Sequence, residues 1–217
     1  MLASLVAAAG CSHGNPGVAT TIHHVDPRLS VVSVNTLPTT IGPVVDGEIR
    51  NTSNGPVQLA QIAVSLTDTS GKDIGSQFGF TLLKVIPPGT KAAFSIPYTG
   101  GRRSVGKVSA TVTAAAAPPT GYTTVQVATK QGSVLGTDYQ VTGTVSNSTS
   151  GPVHFVNIVG TFYDAKGHVV GAAQDESDAS AVPPGGTTSF NLILQEQGTK
   201  VSTYALAAEA QVVPPGQ

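Results

Sequence analysis

The chain has 217 residues, of which 40% are hydrophobic and 11% charged, with a net charge of −1, 25 glycines and 15 prolines. An average soluble domain carries about 25% charged residues; Thr, Ser, Val, Ala, Gly and Pro take up the difference here, a composition suited to strands and turns rather than helices. With no basic stripe to neutralise phosphates, nucleic acid is not an expected partner, and Arg102-Arg103 reads as a solvated turn.

The first ten residues, MLASLVAAAG, form an apolar or small run directly before Cys11, the one cysteine of the chain. Leu2 to Gly10 is too short to span a bilayer of about 30 Å but suits the apolar region of a secretory signal. An unpaired thiol in an exported protein is open to oxidation, and attachment to lipid removes it. Ala8-Ala9-Gly10-Cys11 resembles the lipobox of bacterial lipoproteins, although position 8 is Ala where Leu is commonest and no Lys or Arg precedes the apolar run. The resemblance implies a signal peptide over 1–10, with Cys11 as the lipid-modified first residue on the extracytoplasmic face of the membrane. The alternative is a secreted protein with an ordinary cleaved signal.

Residues 11–28 lack periodicity and read as a tether. His23-His24 with Asp26 is the cluster of metal-ligand types within it, but adjacent histidines on an extended chain point to opposite sides and rarely share one ion. They are expected to be solvated.

From residue 44 the sequence repeats itself at an unbroken offset of 96 residues. Gly47, Asn51 and Gly55-Pro56-Val57 match Gly143, Asn147 and Gly151-Pro152-Val153. Asp68 and Gly71 match Asp164 and Gly167, and Pro87-Pro88-Gly89 matches Pro183-Pro184-Gly185. The shared residues are turn formers and core positions, so the pattern is that of a duplicated fold; a period this long means tandem domains rather than a solenoid. Within each copy, Ala60, Ile62, Val64 and Leu66, and then Val156, Ile158, Gly160 and Phe162, alternate with their neighbours as in a half-buried antiparallel strand. Asp-x-x-Gly follows each as a type I turn, and Pro-Gly suits a type II turn later. Opening strands are expected near 29–35 and 125–131, and Asn51 and Asn147 are expected at strand ends. The predicted fold is all-β: two tandem immunoglobulin-like antiparallel β-sandwich domains over 29–113 and 125–213, joined by a Pro-containing linker at 114–124.

The stretch VTGTVSNSTSGPVHFVNIVGTFYDAKGHVVG, followed by VPPGGTTSFNL, resembles the FxLYD domain of bacterial exported proteins and lipoproteins. Gly143, Val145, Asn147, Tyr163, Asp164, Gly167, Pro184, Gly185 and Phe190 carry the resemblance. The chain departs at Gly160, where the namesake Phe of the family would lie, and at Phe162 in place of Leu; the first copy has Thr67 for Tyr. The resemblance implies a β-sandwich outside a bacterial membrane, in a family without an established common activity.

No nucleophile elbow, zinc-protease helix or phosphate loop is present, so no catalytic residue and no cofactor is expected. The pair Tyr163-Asp164 is accounted for by the turn it opens. Asp175, Glu176 and Asp178 are the ligand candidates, since three carboxylates in four residues could bind Ca²⁺; an exposed polar loop explains them without a ligand. The first copy has Phe78, Phe80, Leu82 and Leu83 in that region, expected in the core; exposure would make them a contact site. The expected role is non-enzymatic: a lipid-anchored protein that binds or scaffolds an envelope protein or polymer. A small-ligand or Ca²⁺ module using the acidic loop is the alternative.

Overall fold

The computed structural model describes residues 19–24, 26–115, 121–196 and 200–212. The signal segment 1–10 and Cys11 lie outside the described residues. The described residues are nearly all β, in fifteen strands: β1 (Ala19–His24), β2 (Leu29–Pro38), β3 (Pro43–Asn51), β4 (Val57–Thr67), β5 (Asp73–Phe80), β6 (Val85–Ile86), β7 (Lys91–Pro97) and β8 (Lys107–Ala115). After these come β9 (Tyr122–Leu135), β10 (Asp138–Ser146), β11 (Val153–Tyr163), β12 (Val169–Glu176), β13 (Ala181–Val182), β14 (Thr187–Leu194) and β15 (Thr203–Val212).

In the first half, a sheet of order β1-β8-β4-β5, with β6 on β4, faces a second sheet of order β2-β3-β7. All pairs are antiparallel except β1 with β8. In the second half the order is β12-β11-β15-β9-β10-β14, with β13 on β11. The long strand β9 bends this sheet over itself: residues 122–125 pair with β15, and the rest pairs with β10. The strands β11 to β15 each begin 96 residues after β4 to β8. The irregularities recur too, because Leu59 and Phe155 both take positive φ (39° and 48°) where the register of β4 and of β11 shifts.

Period-two burial follows from the sequence in β4, where Ala60, Ile62, Val64 and Leu66 are buried and Gln61, Ala63 and Ser65 exposed. In β11 the alternation fails: Val159 and Thr161 are buried as well as Ile158, Gly160 and Phe162. The reason is that the outer face of β11 and β12 packs on the outer face of β2, β3 and β7, so Val159 and Ala172 belong to the same core cluster as Ile49, Ile62 and Phe94.

Two expected boundaries change. The tether over 11–28 contains a strand, because Thr20, Thr21 and Ile22 have the β-branched side chains strands favour and lie along the free edge of β8, with Ile22 against the core. Asp26 then takes the N–H of Arg28 and its guanidinium (2.9 and 2.7 Å) in the turn to β2. The linker over 114–124 is shortened at both ends, since β8 runs to Ala115 and β9 starts at Tyr122.

Candidate functional site

The repeated Asn residues are structural. Asn51, fully buried, donates from Nδ2 to the carbonyls of Gly55 and Ile86 (2.8 Å each) and accepts the N–H and hydroxyl of Ser53 (2.9 and 2.7 Å). Asn147 repeats this with Gly151, Val182 and Thr149. Both main chains also bond to the Pro-Pro-Gly turn, through Gly89 to Asn51 and Gly185 to Asn147. Each Asn thus ties three separate segments together. Asp68 and Asp164 serve their turns, each accepting two backbone N–H groups.

The acidic ligand candidates do not converge. Asp175 and Glu176 end strand β12, so consecutive carboxylates project to opposite faces. Asp175 accepts the Asn191 N–H at 3.0 Å, while Glu176 and Asp178 are exposed. The acidic stretch is therefore largely strand where a loop was expected. Among the described residues no three His, Cys, Asp or Glu side chains are arranged to hold a metal ion. His23 and His24 are consecutive in β1.

Phe78 and Phe80, expected in the core, are 67% and 48% exposed, whereas Leu83 is buried. The register explains it. Phe78 pairs with Ala63 and Phe80 with Gln61, both on the outer face of β4. The inner face of β5 has no room for a ring: a Cβ on Gly79 would come within 2.9 Å of Ile96. Phe78 and Phe80 thus lie on the outer face of an edge strand. The positions 96 residues on are Gln174 and Glu176.

The junction of the halves holds carboxylates that the sequence reading did not single out. Glu209, 1% exposed, accepts the N–H groups of Lys84 and Val85 at 2.8 and 3.0 Å, and Asn157 donates to the carbonyl of Leu82 at 3.0 Å. Glu48 lies between Lys91 (2.9 Å) and the hydroxyl of Tyr163 (2.6 Å). Burial, and then the bond to Glu48, raise the pKa of Tyr163. Asn35 donates to the Val169 carbonyl at 2.7 Å. Asp46 is 3% exposed; burial lifts its carboxyl to about 7, partly offset by the hydroxyl of Ser95 and the N–H of Ala172, and its Oδ1 has no hydrogen-bond partner. The sequence signal for all three was a carboxylate inside an otherwise apolar strand, as in PVVDGEI and LAAEAQV.

A cleft of about 280 Å³ opens at this junction between Ile41, Val44 and Pro97 on one side and Ala173 and Ile193 on the other. Beside it, the β2–β3 turn is gripped by the carboxylate of Glu196, which accepts both the N–H and the hydroxyl of Thr40.

No family model matches the chain, and no curated protein is similar to it. Among solved structures, red sea bream transglutaminase is similar at 15% identity with a TM-score of 0.24, over 79% of this chain. The chain spans 27% of the length of that structure.

Proposed function

We propose that the chain is a non-enzymatic, lipid-anchored binding or scaffolding protein of the bacterial cell envelope, with FxLYD-like sandwiches held on the extracytoplasmic face through Cys11. The apolar run ending in Ala8-Ala9-Gly10-Cys11 supports the anchor. The observation that carries the binding role is the outer face of β4 and β5. The corresponding face of β11 and β12 is buried against a sheet, whereas this one is open and carries Phe78 and Phe80. Exposed aromatic side chains on a largely uncharged edge strand are what a polypeptide partner buries on docking, by strand addition or by packing a sheet across the face.

A photo-crosslinking residue at Gln61, beside Phe80, tests this in native membranes. A reproducible protein neighbour is expected, with its yield falling at least fivefold in the Phe78→Ser/Phe80→Ser double variant. Absence of a reproducible neighbour, or a yield indifferent to the two substitutions, overturns the binding face. Mass spectrometry of membrane-extracted protein reads the anchor separately: an unmodified Cys11 removes it.

A further inference from the structure

Strand β1 begins at Ala19, eight residues after Cys11. A chain extends by at most about 3.6 Å per residue, so Ala19 lies within about 29 Å of whatever holds Cys11. Ala19 pairs with Lys107 at the start of β8, and Arg102 and Arg103 lie in the loop that leads into that strand. The end of the first half where the chain enters is therefore the end that carries these two arginines.

Arg102 Nε donates to the carbonyl of Thr40, in the turn that joins β2 to β3. This turn is fixed from several sides. Thr39 donates to the carbonyl of Gly42 through both its N–H (3.1 Å) and its hydroxyl (2.7 Å). Glu196 holds Thr40 from the second half, and does so from a left-handed backbone conformation (φ 59°). Ile41, in this turn, is 79% exposed, the largest exposure among the bulky apolar residues of the described chain. Ile41 borders the junction cleft, but most of its side chain stays in contact with solvent.

We infer that this end of the first half lies against the lipid surface, with Ile41 entering the interfacial layer and Arg102 and Arg103 meeting lipid phosphates. The inference rests on the anchoring at Cys11 proposed above. Guanidinium groups suit phosphate oxygens because they present paired N–H donors, and an apolar side chain beside basic ones matches the boundary between headgroups and acyl chains. Glu196 sets one negative charge beside the two arginines, so the contact depends on the inserted side chain and on direct hydrogen bonds more than on net charge. Three side chains bind a free membrane weakly. Attachment at Cys11 makes the contact intramolecular and supplies the effective concentration it needs.

The chain contains no Trp and a single Cys, which gives a direct test. The full chain is coupled through Cys11 to maleimide lipid in vesicles of phosphatidylcholine and phosphatidylglycerol. It carries either Ile41→Trp or Asn54→Trp, the second in the exposed turn at the opposite end of β3, about 30 Å away. Quenching by brominated lipids is expected to be at least threefold stronger for the indole at position 41, with its emission shifted to the blue. Equal quenching at the two positions, or none at position 41, overturns the contact. Because the coupling is chemical, this result does not depend on whether Cys11 is lipidated in the cell, which mass spectrometry decides on its own.

Discussion

Asn147 shows what a single side chain can contribute when its hydrogen bonds leave its own strand. Its amide donates to Gly151 and Val182, and its carbonyl oxygen accepts the N–H and hydroxyl of Thr149, all at 2.7–2.9 Å and essentially without solvent. A hydrogen bond exchanged for one with water contributes modestly, but a buried group left without a partner costs about 1–3 kcal/mol. Asn147→Ala takes this partner from the Val182 carbonyl and the Thr149 N–H at once, with only partial repair by water, while the Gly151 carbonyl keeps the Thr149 hydroxyl. The expected loss is about 3 kcal/mol of unfolding free energy, measured by urea denaturation, with the slope of the transition unchanged. A loss under about 1 kcal/mol contradicts the clamp. The same geometry explains why Asn, Gly and Pro-Val recur together: Asn needs the Gly carbonyl four residues on, and the strand that begins at Val57 or Val153 follows directly.

Strands were legible where one face alone is covered. Alternation in β4 gave the core positions, and the Asp-x-x-Gly and Pro-Gly turns form as their backbone preferences predict, with Gly71, Gly167, Gly89 and Gly185 at positive φ. What escaped the reading depends on neighbours far along the chain. β11 reads as half-buried, yet its second face packs on β7 and, through Tyr163, on Glu48 of β3. Phe78 and Phe80 read as core because apolar rings usually are, but pairing with Ala63 and Gln61 turns them outward, and Ile96 occupies the space inside. β1 was missed because six residues with two histidines carry no periodic signal; its strand character comes from the open edge of β8. Ile22 tests that assignment. Packed against the core from a paired strand, it tolerates no charge, so Ile22→Asp is expected to cost about 2 kcal/mol in thermal or urea unfolding. A substitution within a tether would leave stability unchanged.

For the molecule as a whole, the junction between the halves is held by polar groups taken out of water, and this makes stability depend on pH. Asp46 titrates there in the neutral range. Glu48, Lys91 and Tyr163 lie farther along the same face and are bonded to one another, leaving Asp46 with only the Ser95 hydroxyl and the Ala172 N–H. Its carboxyl is lifted by burial from 3.8 to about 7. Between these values the native chain keeps a proton that the unfolded chain has released, so the native state binds more protons and stability falls as pH rises. The contribution of Asp46 is fully present below about pH 4, declines through the window and is lost above about pH 7. At about 1.4 kcal/mol per pH unit the total change is about 4 kcal/mol. The carboxyls of Asp26, Asp68, Asp164 and Glu196 are shifted the other way, so their contributions are lost as pH falls through their ordinary values, at the acid edge of the window and below it. Between pH 4 and 8 the unfolding free energy is expected to decline by about 4 kcal/mol more in the parent chain than in Asp46→Asn, whose amide carries no charge at any of these pH values. The Ser95 hydroxyl and the Ala172 N–H both favour the charged form, but burial outweighs them, so ionisation of Asp46 favours opening of the junction to water. Amide exchange at Ala172 and Val169 is therefore expected to quicken with pH beyond the intrinsic rate in the parent and not in Asp46→Asn. Parallel pH profiles in the two proteins would show that Asp46 does not control the junction.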